Sequence, residues 1–366
     1  YAISLAACAR VEVGTGFDEV SALVTERGGG HLAAIPQPDG LSVIKANESD
    51  AIKPIAALSL RQALQGALTS SPTLQAHYAR LAISRADVLQ ASLLKNPTFN
   101  SDVVAGITGD PTRFALGAVY PILDIVYQKP RIKAAQADFK ATQLEVAAAV
   151  IEHANDVTKA YFDLAYAKAR LGARQEIVNV ARQQIDAIEK LVASGSLDGS
   201  DLAKLQTIRT KADMELDAAR GERDGARIRL AGLIGAPLES PIDTTMPFEK
   251  IDADNEKITD LTAEAYRQRV DILRAEQEVA IRKQALERAR RIFDPDGQEI
   301  GLNLEHEEGE RFLGPSFSVE VPIFDRGRYR RAKAMAELVE AERRLVALRQ
   351  SVDTQVRADY QQVRSR

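Results

Sequence analysis

Leu74 to Pro97 reads LQAHYARLAISRADVLQASLLKNP and Ile272 to Pro295 reads ILRAEQEVAIRKQALERARRIFDP, two amphipathic helical stretches that each close on proline, 198 residues apart. A second correspondence follows each of them. Pro121-Ile122-Leu123-Asp124 matches Pro322-Ile323-Phe324-Asp325 at an offset of 201. Between the two marks lies β-prone sequence, and after the second mark a long helix begins. The chain is therefore built twice on one plan, helix, β-hairpin, long helix, and any fold must accommodate both copies.

The first hairpin is expected over residues 98–108 and 113–123, with Gly109-Asp110-Pro111 as the turn between them. The second is cleaner. Ile300, Leu302 and Leu304 alternate with Gly301, Asn303 and Glu305. After Glu307-Glu308-Gly309, the stretch 316–323 sets Phe317, Val319, Val321 and Ile323 against Ser316, Ser318, Glu320 and Pro322. Period-two alternation puts the two sets on opposite faces. Such a sheet can hold a lipid face and an aqueous face, or it can cover a soluble helix; alternation alone serves both readings. Four strands do not close a membrane barrel, which needs about eight.

The helical parts are long. Val157, Tyr161, Leu164, Leu171, Val178, Ile185, Ile188 and Val192 recur at steps of three, four or seven in a helix expected from Pro130 to about Val192. Roughly 60 residues at 1.5 Å each make a helix on the order of 90 Å, too long for a globular core and natural for a coiled coil. The run Ser194-Gly195-Ser196-Leu197-Asp198-Gly199-Ser200 breaks it. Ser200 or Asp201 is then expected to cap a returning helix whose stripe is Leu202, Leu205, Ala212, Leu216, Ala219, Ala226, Leu230 and Leu233, interrupted by Arg209 and Arg223. Gly235-Ala236-Pro237 closes it. Upstream, helical periodicity starts near Leu58, breaks at Ser71-Pro72, and resumes to about Leu94, where Lys95-Asn96-Pro97 stops it. The fold class is mainly α with a small β part.

Composition narrows function by exclusion. Aromatic residues are 5% with no Trp, which suits helices packed through small side chains. The net charge of −4, with both signs mixed, carries no basic excess that would point to nucleic acid. No run of about 18 apolar residues occurs, so a bilayer crossing would have to be a closed β-barrel. His31, His77, His153 and His306 show no pairing with each other or with Cys at metal-ligand spacing, and neither a phosphate-binding loop nor a nucleophile elbow is present. No metal, cofactor or enzymatic activity is expected.

The single cysteine, Cys8, cannot form an internal disulfide. The chain begins without Met, and Leu5-Ala6-Ala7-Cys8 resembles the bacterial lipobox at the end of a secretory segment. On that reading residues 1–7 are removed and Cys8 carries lipid such as palmitate. Ala9, in place of Asp, resembles the outer-membrane sorting signal of bacterial lipoproteins. The other reading of Cys8 is a buried thiol in an apolar terminal stretch. Residues 9–57, with Gly28-Gly29-Gly30 and Pro36-Gln37-Pro38, read as an irregular arm with a short helix at 17–26.

The duplicated plan carries further marks. Asn96-Pro97-Thr98-Phe99 opens the first strand. The run Gly314-Pro315-Ser316-Phe317-Ser318-Val319-Glu320-Val321-Pro322-Ile323-Phe324-Asp325-Arg326-Gly327 carries the fourth. Arg269-Val270-Asp271-Ile272 resembles an Arg-Pro-Asp-Leu helix start, with Val270 in place of the proline. Ser200-Asp201-Leu202 and Leu230-Ala231-Gly232-Leu233-Ile234-Gly235 bracket the returning helix. In this order, over roughly residues 58–366, the set resembles the outer-membrane efflux protein (TolC) family, of the lipoprotein type. Ser21-Ala22-Leu23-Val24 and Leu93-Leu94-Lys95-Asn96-Pro97 are most similar to its heavy-metal (cation) efflux branch.

The resemblance implies a homotrimer: long antiparallel coiled-coil helices forming a periplasmic α-barrel, and four strands per protomer forming a trimeric 12-stranded β-barrel in the outer membrane. It implies a passive exit duct for small molecules or ions in a tripartite efflux or type I secretion system, lipid-anchored to the outer membrane. The partners would be a periplasmic adaptor (membrane fusion) protein and an inner-membrane pump of the RND or ABC type, with no nucleic acid. Ser194, Gly195, Ser196, Leu197, Asp198, Gly199, Ser200 and Asp201 would form the adaptor-docking tip. Asn303, Glu305, Ser316, Ser318 and Glu320 would line the lumen, and Ile300, Leu302, Leu304, Phe317, Val319 and Val321 would face lipid. The alternative is a periplasmic coiled-coil adaptor or structural protein without a membrane barrel. The domains expected are a signal remnant at 1–7, the arm at 8–57, a first repeat at 58–235, a connector at 236–259 and a second repeat at 260–366. That repeat stops at the counterpart of about position 165, so the sequence is expected to lack the distal half of its helical hairpin and, with it, the gate residues.

Overall fold

The computed structural model describes residues 13–28, 58–104, 113–196, 198–245, 257–290, 298–307, 310–321 and 323–364. Cys8, Leu197, most of the arm, both hairpin turns and the middle of the connector lie outside these. In chain order the elements are α1 (Phe17–Arg27), α2 (Leu60–Ser70), α3 (Pro72–Ser92), β1 (Thr98–Val104), β2 (Arg113–Tyr120), α4 (Leu123–Ala193), α5 (Gly199–Ile234), α6 (Ile258–Gln268), α7 (Val270–Ala289), β3 (Gln298–Glu307), β4 (Glu310–Val319) and α8 (Arg328–Arg364). Helix, hairpin, long helix does occur twice. Among the described residues no helix is long and apolar enough to cross a membrane.

The chain forms two compact units, and the first repeat contributes to both. One comprises residues 1–19, 80–146 and 253–366. It holds the sheet, of order β1-β2-β3-β4, antiparallel throughout. The β2–β3 pairing joins the hairpins of the two repeats into one layer. In the same unit α6 and α7 both pack on α8, and α7 does so around Val279, Leu338 and Ala341, flanked by Leu286 and Leu345. Polar bonds frame this core: Arg349 pairs with Glu276 at 2.8 Å and Arg282 with Glu337 at 3.3 Å.

The second unit comprises residues 20–79 and 147–252. Val178 of α4 packs on Ala212 and Leu216 of α5, with Leu171 beside them. Ala212, Ala219 and Ala226 are all buried at steps of seven, so small side chains recur along the seam of α5. Arg170–Glu222, at 2.5 Å, and Arg174–Glu215, at 2.6 Å, cross between the helices in antiparallel order. Being partly exposed, each such pair contributes less than about 1 kcal/mol and mainly fixes register. Tyr161, fully buried, donates to the Leu58 carbonyl at 2.9 Å and accepts from the Thr245 amide at 3.2 Å, tying the start of the first repeat to the connector.

Several boundaries differ from the sequence reading. Helix α4 begins at Leu123, seven residues before the expected Pro130, which lies inside it. Proline removes one helical hydrogen bond there, but side-chain anchors on Asp124, Gln128 and Arg131 secure the same turns. Strand β2 accordingly ends at Tyr120, ahead of Pro121. Strand β4 covers Glu310–Val319, not 316–323, and Glu307 pairs with Glu310 in the ladder. Its Pro315, which has no amide to donate, lies on the last strand of this chain's own sheet. The N-cap of α5 is Asp198, without a side-chain capping bond, rather than Ser200 or Asp201. The helix expected at 17–26 is α1.

Candidate functional site

Three places are candidates for function: the sheet, the junction where helices meet it, and the tip of the α4–α5 hairpin. In the sheet, directly paired residues share a face. Ile300 stands opposite Tyr120 and Phe317, and Leu302 opposite Ala118 and Pro315. Leu304 stands opposite Leu116 and Leu313. On β1 the same face continues through Phe99 and Val103, by way of Ala118 and Phe114. The expected lipid-facing residues Ile300, Leu302, Leu304, Phe317 and Val319 thus fall on one face, and Val321 lies beyond the end of β4. The sequence reading missed Phe99, Val103, Phe114, Leu116 and Leu313, which extend this face over all four strands. Their signal, an alternation with Asn and Asp in β1 and with Ala and Gly in β2 and β4, is weaker than the one in β3 because Ser101 and Ala118 interrupt the apolar set. The face is open: Phe99 is 77% exposed, Leu313 74% and Phe317 73%.

The opposite face carries Asn100 and Asp102 of β1, Asn303 and Glu305 of β3, and Ser316 and Ser318 of β4. Glu320, expected with them, follows the end of the strand. Phe312 is paired with Glu305 and is the one large apolar side chain on this face of β4. Among the described residues no group of three or more His, Cys, Asp or Glu is placed to hold a metal ion.

At the junction, α3 ends against the first turns of α4. Arg131 donates to the carbonyls of Ala91 at 3.0 Å and Leu93 at 2.7 Å, and Gln128 to that of Ser92 at 2.7 Å. These are final carbonyls of α3, which no further helical turn can satisfy. Arg131 also pairs with Asp124, whose other oxygen accepts the Lys95 amide at 3.0 Å. Burial alone would raise the Asp124 carboxyl; the bonds from Arg131 and Lys95 outweigh it and hold it below the usual carboxylate range. In the second repeat the counterpart, Asp325, is exposed and accepts the nearby Gly327 amide at 2.8 Å.

At the tip, α4 closes with the Ser196 amide on the Leu191 carbonyl at 2.9 Å and the Gly195 amide on that of Val192 at 3.0 Å. Gly195 takes φ +72°. This is the left-handed helix end that glycine favours, so the turn itself accounts for Gly195. Gly199 is different: it opens α5 without a positive φ, and a Cβ there would meet nothing within 4 Å. Ser194, Gly195, Ser196, Asp198, Gly199 and Ser200 are exposed, and Asp201 is half-buried.

A long coiled-coil hairpin inserted between paired strands, with an apolar and a polar sheet face, is the architecture of outer-membrane channel proteins. The chain superposes on CusC, described as forming a transmembrane channel, with TM-score 0.59 and 17% identity over 90% of this chain and 79% of that one. The Campylobacter jejuni outer membrane channel CmeC gives TM-score 0.63 and 14% identity over 79% and 67%. The Neisseria gonorrhoeae outer membrane channel MtrE gives 0.56 and 19% over 90% and 80%. No curated protein matches the chain in sequence. Residues 63–236 match the family model of the outer membrane efflux protein. Over that stretch the chain is similar to this family, and its fold is that of the channels named above.

Proposed function

We propose that this chain is one protomer of a trimeric outer-membrane efflux channel, a passive duct that carries small molecules or ions without chemistry of its own. The observation that carries this reading is the sheet. Its apolar face runs over all four strands and is exposed, with Ser101 inside it and Gln298, His306 and Arg311 at its two ends, while its other face is largely polar. Three such sheets, joined β4 to β1, make twelve strands with lipid outside and water inside, and every strand edge is paired. Ile300, Leu302, Leu304, Phe317 and Val319 then face lipid, with Val321 at the membrane boundary. Asn303, Glu305, Ser316 and Ser318 line the lumen, with Glu320 at its rim. A soluble coiled-coil adaptor would leave this apolar face in water.

The tip residues 194–201 dock a periplasmic adaptor, which links the duct to an inner-membrane pump of the RND or ABC type. The unforced glycine at Gly199 supports close approach there. Cys8 anchors the arm to the outer membrane through lipid, and the resemblance of residues 21–24 and 93–97 supports the cation-efflux branch. The deciding experiment is electrophoresis of outer-membrane extracts with and without heating, followed by planar-bilayer recording. A heat-sensitive trimer that conducts ions supports the channel. A soluble monomer without conductance overturns it.

A further inference from the structure

Lys129 and Lys133 on α4 and Lys283 and Arg288 on α7 surround a groove of about 660 Å³. Leu286 of α7 and Leu338 of α8 give it an apolar floor. All four cations are exposed. Among the described residues, none of the four has a carboxylate within ion-pair distance. Glu287, which also lines the groove, is held by Arg290 at 2.8 Å, and the nearby Arg282 is taken up by Glu278 and Glu337. Arg288 reaches the exposed Asp138 only through its field. Four positive charges converging on an apolar surface repel one another and lack an internal counterion, so the groove is complementary to an anion with an apolar tail.

Its place along the chain indicates what brings such an anion. Lys129 follows the end of β2, and Arg288 precedes the start of β3, by about ten residues each. Between the strands and the cations lie exposed Ile122, Ile125 and Val126. Moving from sheet to helices, the surface changes from apolar to basic, the order in which a bilayer changes from acyl chains to headgroups.

We infer that this groove binds the phosphate headgroup of an anionic membrane phospholipid, with the acyl chains on the apolar floor and the adjoining sheet face. The inference rests on the reading that the sheet lies in the bilayer. Bound lipid would hold α4 and α7 together at the membrane surface and fix the depth of the sheet.

The test uses the full chain purified in a neutral detergent, with spin-labelled phosphatidylglycerol or phosphatidylcholine added and the immobilised fraction measured by electron paramagnetic resonance. The protein should prefer phosphatidylglycerol, and the preference should fall as salt is raised. The variant Lys129→Gln/Lys133→Gln/Lys283→Gln/Arg288→Gln should lose up to roughly fivefold in affinity per charge removed. The Lys204→Gln/Lys211→Gln control on α5 should lose none. Equal affinity for the two lipids, or a preference that survives in the fourfold variant, overturns the inference. So does displacement of the lipid by inorganic phosphate alone at millimolar concentration, which would mark a free-anion site. Conductance recorded on the same samples separates the two readings. A conducting channel without lipid preference sinks the groove alone, and lipid preference without conductance sinks the channel alone.

Discussion

Arg131 reaches back seven residues along α4 to the buried carboxylate of Asp124 while its other nitrogens cap carbonyls at the end of α3. One side chain thus ends one helix, secures the start of the next, and fixes where the chain leaves helix for strand. Asp124, 1% exposed, has no other cation in ion-pair contact among the described residues.

Arg131→Ala should therefore cost about 3 kcal/mol, the low end for breaking a buried pair, because the guanidinium is partly exposed. Thermal unfolding of the protein in detergent measures it. The carboxyl of Asp124 is depressed in the folded state, so its stabilisation is present above the unfolded value of 3.8 and is lost as pH falls through the lower folded value. The difference between wild type and Asp124→Asn should accordingly be large at neutral pH and shrink below about pH 4. A difference independent of pH would show that the pair acts by packing alone.

The glycines Gly195 and Gly235 end α4 and α5 with nearly the same φ, +72° and +71°. Their surroundings are opposite. A Cβ on Gly235 would stand 2.7 Å from the Ser70 carbonyl oxygen, while one on Gly195 would meet nothing within 4 Å. Gly195→Ala should cost about 1 kcal/mol of left-handed strain. Gly235→Ala should cost clearly more, because backbone must also move. Equal losses in melting temperature would remove the steric part of this argument.

Ser71 and Arg269 occupy the same place in the two repeats, and both break a helix with extended backbone, ψ 116° and 121°. Pro72 enforces the first break, since the residue before proline avoids helical geometry. At the second, Val270 stands where proline would, and Arg269 pairs with Asp271 at 2.8 Å. Val270→Pro should be tolerated, within about 1 kcal/mol of wild type, and should recover part of the loss caused by Arg269→Ala. Failure of that recovery in the double variant would show that the ion pair does not stand in for proline.

The two sheet faces should respond oppositely to charge. Leu302→Arg should weaken membrane assembly by about 2–4 kcal/mol if the residue lies near mid-bilayer. Asn303→Arg should assemble normally and shift ion selectivity toward anions. Trimer yield in outer membranes and reversal potentials in planar bilayers distinguish them. Normal assembly of Leu302→Arg would contradict the lipid-facing assignment.

The duplicated plan was legible because proline-closed helices and the Pro-Ile-Leu-Asp and Pro-Ile-Phe-Asp marks are local signals. The heptads of α4 and α5 were legible because coiled-coil periodicity persists over many turns. The faces of β3 were legible because Ile300, Leu302 and Leu304 alternate with polar residues. The limits of β4 were not. Sequence alternation continues past Val319 into Val321 and Ile323, whereas a strand ends where its ladder partner ends, here at Gln298. The early start of α4 was hidden by Pro130, whose usual meaning is a boundary, and it is secured by bonds to a helix some forty residues upstream.

The sequence by itself determined the elements, their order, the repeat and the apolar character of one strand face, because these depend on periodicity and on residues close in the chain. Only the tertiary structure decided that β2 pairs with β3 to merge two hairpins into one sheet, that Arg131 caps α3, and that four lysine and arginine side chains from two helices share one groove. Those relations join residues up to about 190 positions apart, and chain topology rather than local preference brings them together.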